Sequence, residues 1–488
     1  MIHSFSVTLW VTALSVLTGV LLAWLMNSFR IRGRKTLEIL IIISMLSPPF
    51  IGAYSWVILG GRSGVITRFL TSLFGVHVPS VYGFGGILLV LTLKLFPFIY
   101  LYVSGAIKKI DSSLLEAAEG LGCSPVRKLF TVVLPLILPT LLAGALLVFM
   151  NALADFGTPM LIGEGYQVMP VLIYSEFVGE MGGEANFAAA MATLMILITG
   201  ILFAVQKYVI NRKSFTMSAL RPLRIRELTG WKAFPAYLFI YGLVFLALIP
   251  QLTVIFTSFL ETRGSLFTAG FSLKSYQMVF RNMWGAISNT FIYGAVSLLI
   301  IILLSILLAY VFTRRRNFPG NVLDSITMFP YIIPGSVLGI TLLFAFNSRP
   351  LLLSGSAAII IIAFVIRRLP YTLRSSTAIL YQISPGIEEA GVSLGCPPVA
   401  AFFRITAVMM LPGVLSGAVL SWITVITELS ASVILYTGRT KTVPVAIYTE
   451  VIRASYGTAA ALSSLLTLIT LVSLLIFFSM SGKKEIGI

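Results

Sequence analysis

The sequence predicts an all-α polytopic membrane protein with about eleven transmembrane helices in two parallel-oriented homologous halves, arranged five plus one plus five. Long continuous apolar runs, basic clusters in alternate connections and an internal repeat point to it. Hydrophobic residues make up 58% of the chain and charged residues 10%, against roughly 25% charged in an ordinary soluble domain. With a mean hydropathy of +1.00, the chain cannot cover a water-facing surface. Apolar runs at about 5–27, 37–60, 84–107, 133–155, 186–209, 233–258, 286–313, 323–347, 352–379, 405–428 and 456–479 are each long enough to cross the ~30 Å hydrocarbon core as a helix. They are continuous rather than alternating, which excludes barrel strands.

A net charge of +17 would suit nucleic acid, but its placement argues otherwise. Arg30, Arg32, Arg34 and Lys35, then Arg212, Lys213, Arg221, Arg224 and Arg226, then Arg314, Arg315 and Arg316, then Lys483 and Lys484 fall in alternate connections. This is the positive-inside pattern, so these segments face the cytoplasm and anionic lipid rather than nucleic acid. Arg62, Arg68, Arg263, Lys274, Arg281, Arg439 and Lys441 fall on the opposite side, so the bias is incomplete. Met1-Ile2-His3-Ser4 carries no Lys or Arg and the basic cluster follows the first span, the pattern of a retained helix with its N-terminus outside. Cys123 and Cys396 both fall in segments assigned to the cytoplasm, where a disulfide is not expected.

The sequence offset that carries Cys123 onto Cys396 also carries Pro97 onto Pro370, Glu116 onto Glu389, Gly122 onto Gly395, Pro139 onto Pro412 and Asp155 onto Glu428. One residue of slip later, Met169-Pro170-Val171-Leu172-Ile173-Tyr174-Ser175-Glu176 matches Val443-Pro444-Val445-Ala446-Ile447-Tyr448-Thr449-Glu450. The expected organisation is a first half at 5–210, a basic cytoplasmic linker at 211–231, an extra helix at 233–258 and a second half at 285–480. The first half shows no counterpart of 233–258, which points to a lost helix or a late start. Because the two halves run the same way, they are related by an axis along the membrane normal, and a solute pathway between them is the natural expectation.

After the third span, Asp111-Ser112-Ser113-Leu114-Leu115-Glu116-Ala117-Ala118-Glu119-Gly120-Leu121-Gly122 predicts a short helix. Ser113 and Glu116 have capping-box spacing, and Gly122 suits a left-handed stop. Ser124-Pro125 then offers a cap and first-turn proline for another helix. The second copy uses Ser384-Pro385 for its start and has Gly391 where the first has Ala118, which weakens the helix by about 1 kcal/mol. Both elements are too short and polar to cross a bilayer. A single copy could be a connector resting on the membrane surface; two in register suggest docking to a partner.

Glu116-Ala117-Ala118, then Gly122, then Leu134-Pro135 and Leu138-Pro139 resemble the EAA loop of permease subunits of binding-protein-dependent ABC importers with the type I (MetI-like) fold. The second copy keeps Glu389, Ala390, Gly395 and Leu411-Pro412 but has Gly391 for the last Ala and Val408 for the first proline. The resemblance implies that Glu116 to Gly122 and Glu389 to Gly395 couple the membrane helices to a cytoplasmic ATPase dimer. It also implies an extracytoplasmic solute-binding protein and a multi-pass location in the bacterial cytoplasmic (inner) membrane. The chain has no G-x-x-x-x-G-K-[ST] phosphate loop. No cofactor is therefore expected in this chain, ATP and Mg are expected in the partner ATPase, and the chain itself is not expected to be an enzyme.

Two fused halves, with Ala154-Asp155-Phe156-Gly157-Thr158-Pro159 after the fourth span, are similar to ferric-iron importer permeases. Related fused permeases carry phosphonates, phosphorylated sugars, thiamine or polyamines. Asp155 and Glu428 could form a negative ring admitting a cation, or each could merely cap the next short segment or pair with a nearby Arg or Lys. Glu176 and Glu450, each two residues after a tyrosine, are further candidates for the translocation pathway. A phosphate-bearing solute would instead want cations, and Lys94, Arg367 and Arg368 sit in or near spans. Pro97 and Pro370 predict kinks. A competing class, an ion-coupled secondary transporter with duplicated halves, fits the acidic positions but leaves the twin loops without a purpose. A third class, a non-transporting membrane scaffold, would require no solute pathway around Asp155 and Glu428.

Overall fold

Continuous apolar composition makes helices, because a helix satisfies every backbone N–H and C=O within the segment that enters hydrocarbon. A computed structural model describes all residues except 47–48, 76–79, 179–184, 213–226, 228–229, 231–232, 265, 315–317, 332 and 481–488. Most of the expected linker 211–231, Arg315, Arg316, Lys483 and Lys484 lie outside the described residues. The chain divides into two compact units, one of Met1–Met181 with Ala190–Val254 and one of Gly182–Ala189 with Ile255–Glu485.

In chain order the first helices are α1 (Ile2–Ser28), α2 (Arg34–Leu46), α3 (Pro49–Gly60), α4 (Val65–Phe74), α5 (Phe84–Ile107) and α6 (Ser112–Gly120). Then come α7 (Pro125–Lys128), a π-helical segment (Leu129–Val133), α8 (Leu134–Leu153), α9 (Gly157–Ile162), α10 (Met169–Val178), α11 (Ala185–Arg212) and α12 (Ala233–Ser258). A hairpin of β1 (Leu260–Arg263) and β2 (Leu266–Phe271) follows, with Leu260 opposite Phe271 and Arg263 opposite Leu266. Next are α13 (Lys274–Asn282), α14 (Trp284–Arg314), α15 (Phe318–Met328), a 3-10 turn (Phe329–Tyr331), α16 (Gly335–Phe346) and α17 (Ala357–Gln382). The chain continues through α18 (Pro385–Ser393), α19 (Pro398–Ala401), a second π segment (Phe402–Thr406), α20 (Ala407–Ile426), α21 (Ser432–Leu435), α22 (Val443–Ile452) and α23 (Tyr456–Met480).

Among the described residues, eight helices are long and apolar enough to cross a membrane, or up to nine if one bent pair counts as a span. The difference from eleven apolar runs has local causes. The run 37–60 is divided between α2 and α3, with Pro49 the first residue of α3, and the run 323–347 is broken where Pro330 and Pro334 remove helix donors. The run 352–379 is one helix, α17, but Arg367, Arg368 and Arg374 make it less apolar than the eight. The short hairpin lies between the runs 233–258 and 286–313 and is not anticipated by them.

In the first unit α1 packs along α5 and α8, and in the second α14 packs along α17 and α20. Helices in lipid gain little from apolar burial and depend on close backbone approach, which small residues permit. Gly19 on α1 has Ile99 of α5 where a Cβ would stand, and Gly417 on α20 meets the backbone of Thr372 on α17. Equivalent polar ties close the outer ends: the Met169 N–H donates to Ser4 Oγ at 2.7 Å, and the Val443 N–H donates to Thr290 Oγ1 at 2.8 Å. Each tie holds the start of a short helix, α10 or α22, against the first long helix of its half.

Candidate coupling loops and buried charge junctions

Helix α6 begins two residues earlier than the capping-box spacing suggests. Asp111, with extended backbone, is its N-cap, and the Ser113 N–H donates to Asp111 Oδ1 at 2.9 Å. The expected pairing of Ser113 with Glu116 is therefore replaced by an aspartate cap, because Asp111, two residues earlier, accepts the Ser113 N–H that Glu116 would have reached back to. The stop follows expectation: Gly122 has φ +79°, and the Cys123 N–H reaches back to Ala118 O at 3.0 Å. The Arg127 N–H donates to Ser124 Oγ at 3.3 Å, so Ser124 caps α7.

The second loop repeats the shape with different chemistry. Ser384 occupies the N-cap position of α18 without a side-chain bond to the helix, and Pro385 follows at the first helical turn. Gly395 has φ +92° and the Cys396 N–H donates to Gly391 O at 3.1 Å. Gly391 has a packing reason for lacking a side chain, since a Cβ there would run into Ile405. Glu116, Ala117, Glu389 and Ala390 are exposed, whereas Ala118 is buried. Leu121 and Leu394, at matched positions beside the stopping glycines, are 85% and 90% exposed. Both leucines were missed in the sequence reading, although their match in offset was visible.

The loops are tethered differently. In the first, buried Lys128 donates to Glu119 Oε2 at 2.9 Å, a tie inside the loop itself. In the second, Tyr310 Oη of α14 and Thr406 Oγ1 donate to the two oxygens of Glu388, each at 2.7 Å, and Arg314 donates to Ile383 O at 2.8 Å. Glu119 matches Val392 and Glu388 matches Leu115 in the repeat, so neither tie can form in the other half.

After each loop comes a π segment at matched positions, Leu129–Val133 and Phe402–Thr406, where the Leu134 and Ala407 N–H groups reach Leu129 O and Phe402 O. Pro135 cannot be its cause, since Val408 stands at that place in the second half and the π segment persists. Single π turns carry an extra residue in the helical ladder and recur at functional positions. Pro139 and Pro412 lie inside the helices that follow, and Pro97 and Pro370 inside the helices that precede.

Asp155 and Glu428 are buried, and each is balanced within its own half. Asp155 pairs with Lys94 through Oδ2 and accepts the Thr158 N–H on Oδ1 at 2.9 Å. Glu428 pairs with both Arg367 and Arg368 and accepts the Ala431 N–H at 3.2 Å. Each carboxylate thus both caps the following segment and neutralises a cation. The physical reason is cost: an unpaired charge near hydrocarbon is unfavourable by ~2.5–3.5 kcal/mol at the bilayer centre, less near an interface. The matched offsets of Lys94 with Arg367 and of Asp155 with Glu428 carried this signal in the sequence.

Glu450 is buried and lies 3.5 Å from Arg453, whereas Glu176 on α10 is half-buried. Phe156, next to Asp155, meets the Tyr174 ring edge-on at 5.1 Å between centroids, which brings the Asp155 segment together with α10.

Residues 15–215 and 301–481 match the family of binding-protein-dependent transport system inner membrane components. The chain is 28% identical over 475 residues to the ferric transport system permease protein of Actinobacillus pleuropneumoniae, spanning 95% of this chain and 69% of that protein. It is 25% identical over 462 residues to an Fe(3+)-transport system permease protein of Haemophilus influenzae, spanning 94% and 85% respectively. A shorter similarity, 30% over 214 residues and 44% of this chain, joins it to the spermidine/putrescine transport system permease protein of Haemophilus influenzae, of which it covers 76%. With the family's pattern present in both halves, this multi-pass membrane protein belongs to the binding-protein-dependent transport system inner membrane components.

Proposed function

We propose that the chain is the permease of an ATP-driven ferric-iron importer, worked from the cytoplasm through α6 and α18 by a separate ATPase dimer and supplied from outside by a solute-binding protein. The observation that carries the reading is the pair of short polar helices in register, each ending in a positive-φ glycine with an exposed leucine beside it. Glu116, Ala117, Glu389 and Ala390 present the docking face, and Leu121 and Leu394 supply apolar tips for a groove in the ATPase. ATP and Mg belong to that partner. Two relatives spanning nearly the whole chain are named for ferric transport, which supports iron as cargo.

Asp155 and Glu428 act in this reading as fixed charges at the outer end of each half, with Glu176 and Glu450 nearer the moving solute. Lys94, Arg367 and Arg368 are engaged by carboxylates, which speaks against a phosphate-bearing solute claiming them. The deciding experiment combines Glu116→Arg with Glu389→Arg in the assembled transporter. Loss of co-purified ATPase and of binding-protein-dependent ferric uptake is expected. Unchanged uptake would refute the coupling role, and uptake of spermidine in preference to iron would refute the cargo.

A further inference from the structure

In each half the helix before the coupling loop and the helix after it are joined twice. Near the loop they are joined by the loop itself. Away from the loop they are joined again, by an ion pair between the middle of the helix before the loop and a residue just past the helix after it: Lys94 of α5 with Asp155 beyond α8, 61 residues on, and Arg367 of α17 with Glu428 beyond α20, also 61 residues on. The side chains of the acids are 5% and 2% exposed. The same carboxylates hold the backbone of the next segment, through the Thr158 N–H in α9 and the Ala431 N–H ahead of α21.

The compliant points lie elsewhere in the same frame. Pro97 and Pro370 stand three residues beyond Lys94 and Arg367, on the side toward the loop. Each removes a helical hydrogen bond and permits bending there. The π segments occupy the return arm just after the loop. Each half therefore has a closed frame whose compliant points lie between the loop and the ion pair that pins its two arms. In the second half the pin also meets α16, because Gly335 lies against the Arg367 guanidinium and the backbone of Ala431, with no space for a Cβ.

A buried ion pair adds little net stability, since replacing both charges by apolar groups is often neutral. What it adds over an apolar contact is a fixed register between the two arms and the segment it caps.

We propose that Lys94–Asp155 and Arg367/Arg368–Glu428 are positioning junctions that convert displacement of each coupling loop into displacement of the short helix beyond it, α9 or α21. The inference rests on the importer reading above. Lys94 and Asp155 touch no ATPase in this scheme, so their loss alters the yield of transport and leaves hydrolysis in place.

The test uses proteoliposomes holding the full chain with its ATPase and a binding protein loaded with ferric ion, and reads iron taken up per ATP hydrolysed. The paired neutral variant Lys94→Met with Asp155→Asn strands no charge. It is expected to retain the ATPase and its hydrolysis while uptake per ATP falls about fivefold or more. The exchange Lys94→Asp with Asp155→Lys restores the pair and is expected to recover most of the ratio. An unchanged ratio in the neutral variant overturns the proposal and leaves the pair as charge compensation only. Where the neutral variant does not assemble, Asp155→Glu keeps the charge but displaces the junction, and an unchanged ratio there overturns it equally. Failure of the importer reading shows separately, as absence of binding-protein-dependent uptake by the unaltered complex.

Discussion

Gly391 faces Ile405 so closely that a Cβ would occupy the space of the isoleucine δ-methyl, whereas the first loop has Ala118 and the shorter Val132 at the matched positions. Read from sequence alone, Gly391 is a weakened helix. Read with its neighbour, it is one side of an exchange of volume between a coupling helix and the π segment behind it. Deepening the side chain on one element requires trimming it on the other.

Gly391→Ala should therefore deliver less than the ~1 kcal/mol that helix propensity offers, because Ile405 must leave its rotamer to admit the methyl, a strain of order 0.5–1.5 kcal/mol. In an Ile405→Val background the full gain should appear. Thermal unfolding of the four proteins in a double-mutant cycle checks this, with a coupling of about 0.5 kcal/mol or more expected. Equal effects in both backgrounds would remove the steric explanation.

The start of the first coupling helix separates two candidate caps. Asp111 makes the bond to the Ser113 N–H and Ser113 is exposed. Asp111→Ala should cost ~0.5–2 kcal/mol of local helix stability, and Ser113→Ala no more than ~0.5 kcal/mol. Amide hydrogen exchange over Ser112–Gly120 distinguishes them. Faster exchange in Ser113→Ala with none in Asp111→Ala would reinstate the capping box.

The repeat made the paired architecture legible because matched prolines, glycines and acids keep their spacing even where other residues drift. Glu116 with Glu389 and Gly122 with Gly395 could be found that way, and the φ values of both glycines follow from the chain reversal they make. The tethers could not. Glu388 finds Tyr310 on a helix 78 residues away, and Lys128 bonds to Glu119 where the other half has a valine, so neither leaves a trace in the repeat. The π segments were hidden for another reason, since one extra residue in a helical ladder changes no hydrophobic pattern. The breaks in the runs 37–60 and 323–347 were legible in their prolines, but composition smoothed over them.

Leu121 and Leu394 give both loops an apolar tip whose contribution can be measured. Burying an exposed leucine in a partner is worth roughly 1.5–3 kcal/mol, so Leu121→Asp or Leu394→Asp should weaken ATPase association about tenfold or more. Neither side chain supports the fold, being 85% and 90% exposed, so thermal unfolding of the isolated chain should not move. Association measured by co-purification across a salt series checks this. Undiminished association in the doubly substituted protein would show that the tips lie outside the interface.

Gly144 and Gly417 occupy matched positions on the helices that follow the two loops, yet their surroundings differ. A Cβ on Gly144 would sit 3.4 Å from Tyr102 and 3.5 Å from Ile99, ordinary contact distances. A Cβ on Gly417 would stand 2.6 Å from the Thr372 Cα and 3.0 Å from the Tyr371 carbonyl oxygen, and backbone atoms cannot swing aside. Gly144→Ala should be tolerated. Gly417→Ala must push α20 from α17, where the Thr372 and Ser421 hydroxyls lie 2.7 Å apart and Ser421 also donates to Arg368 O at 3.0 Å. Overpacking of this kind costs ~1–3 kcal/mol, and the lost interhelical bonds add ~0.6 kcal/mol each in lipid. A lower unfolding temperature for Gly417→Ala than for Gly144→Ala, measured in the same detergent, is the expected result. Equal temperatures would mean that α17 and α20 are not in the close contact on which the frame of the second half depends.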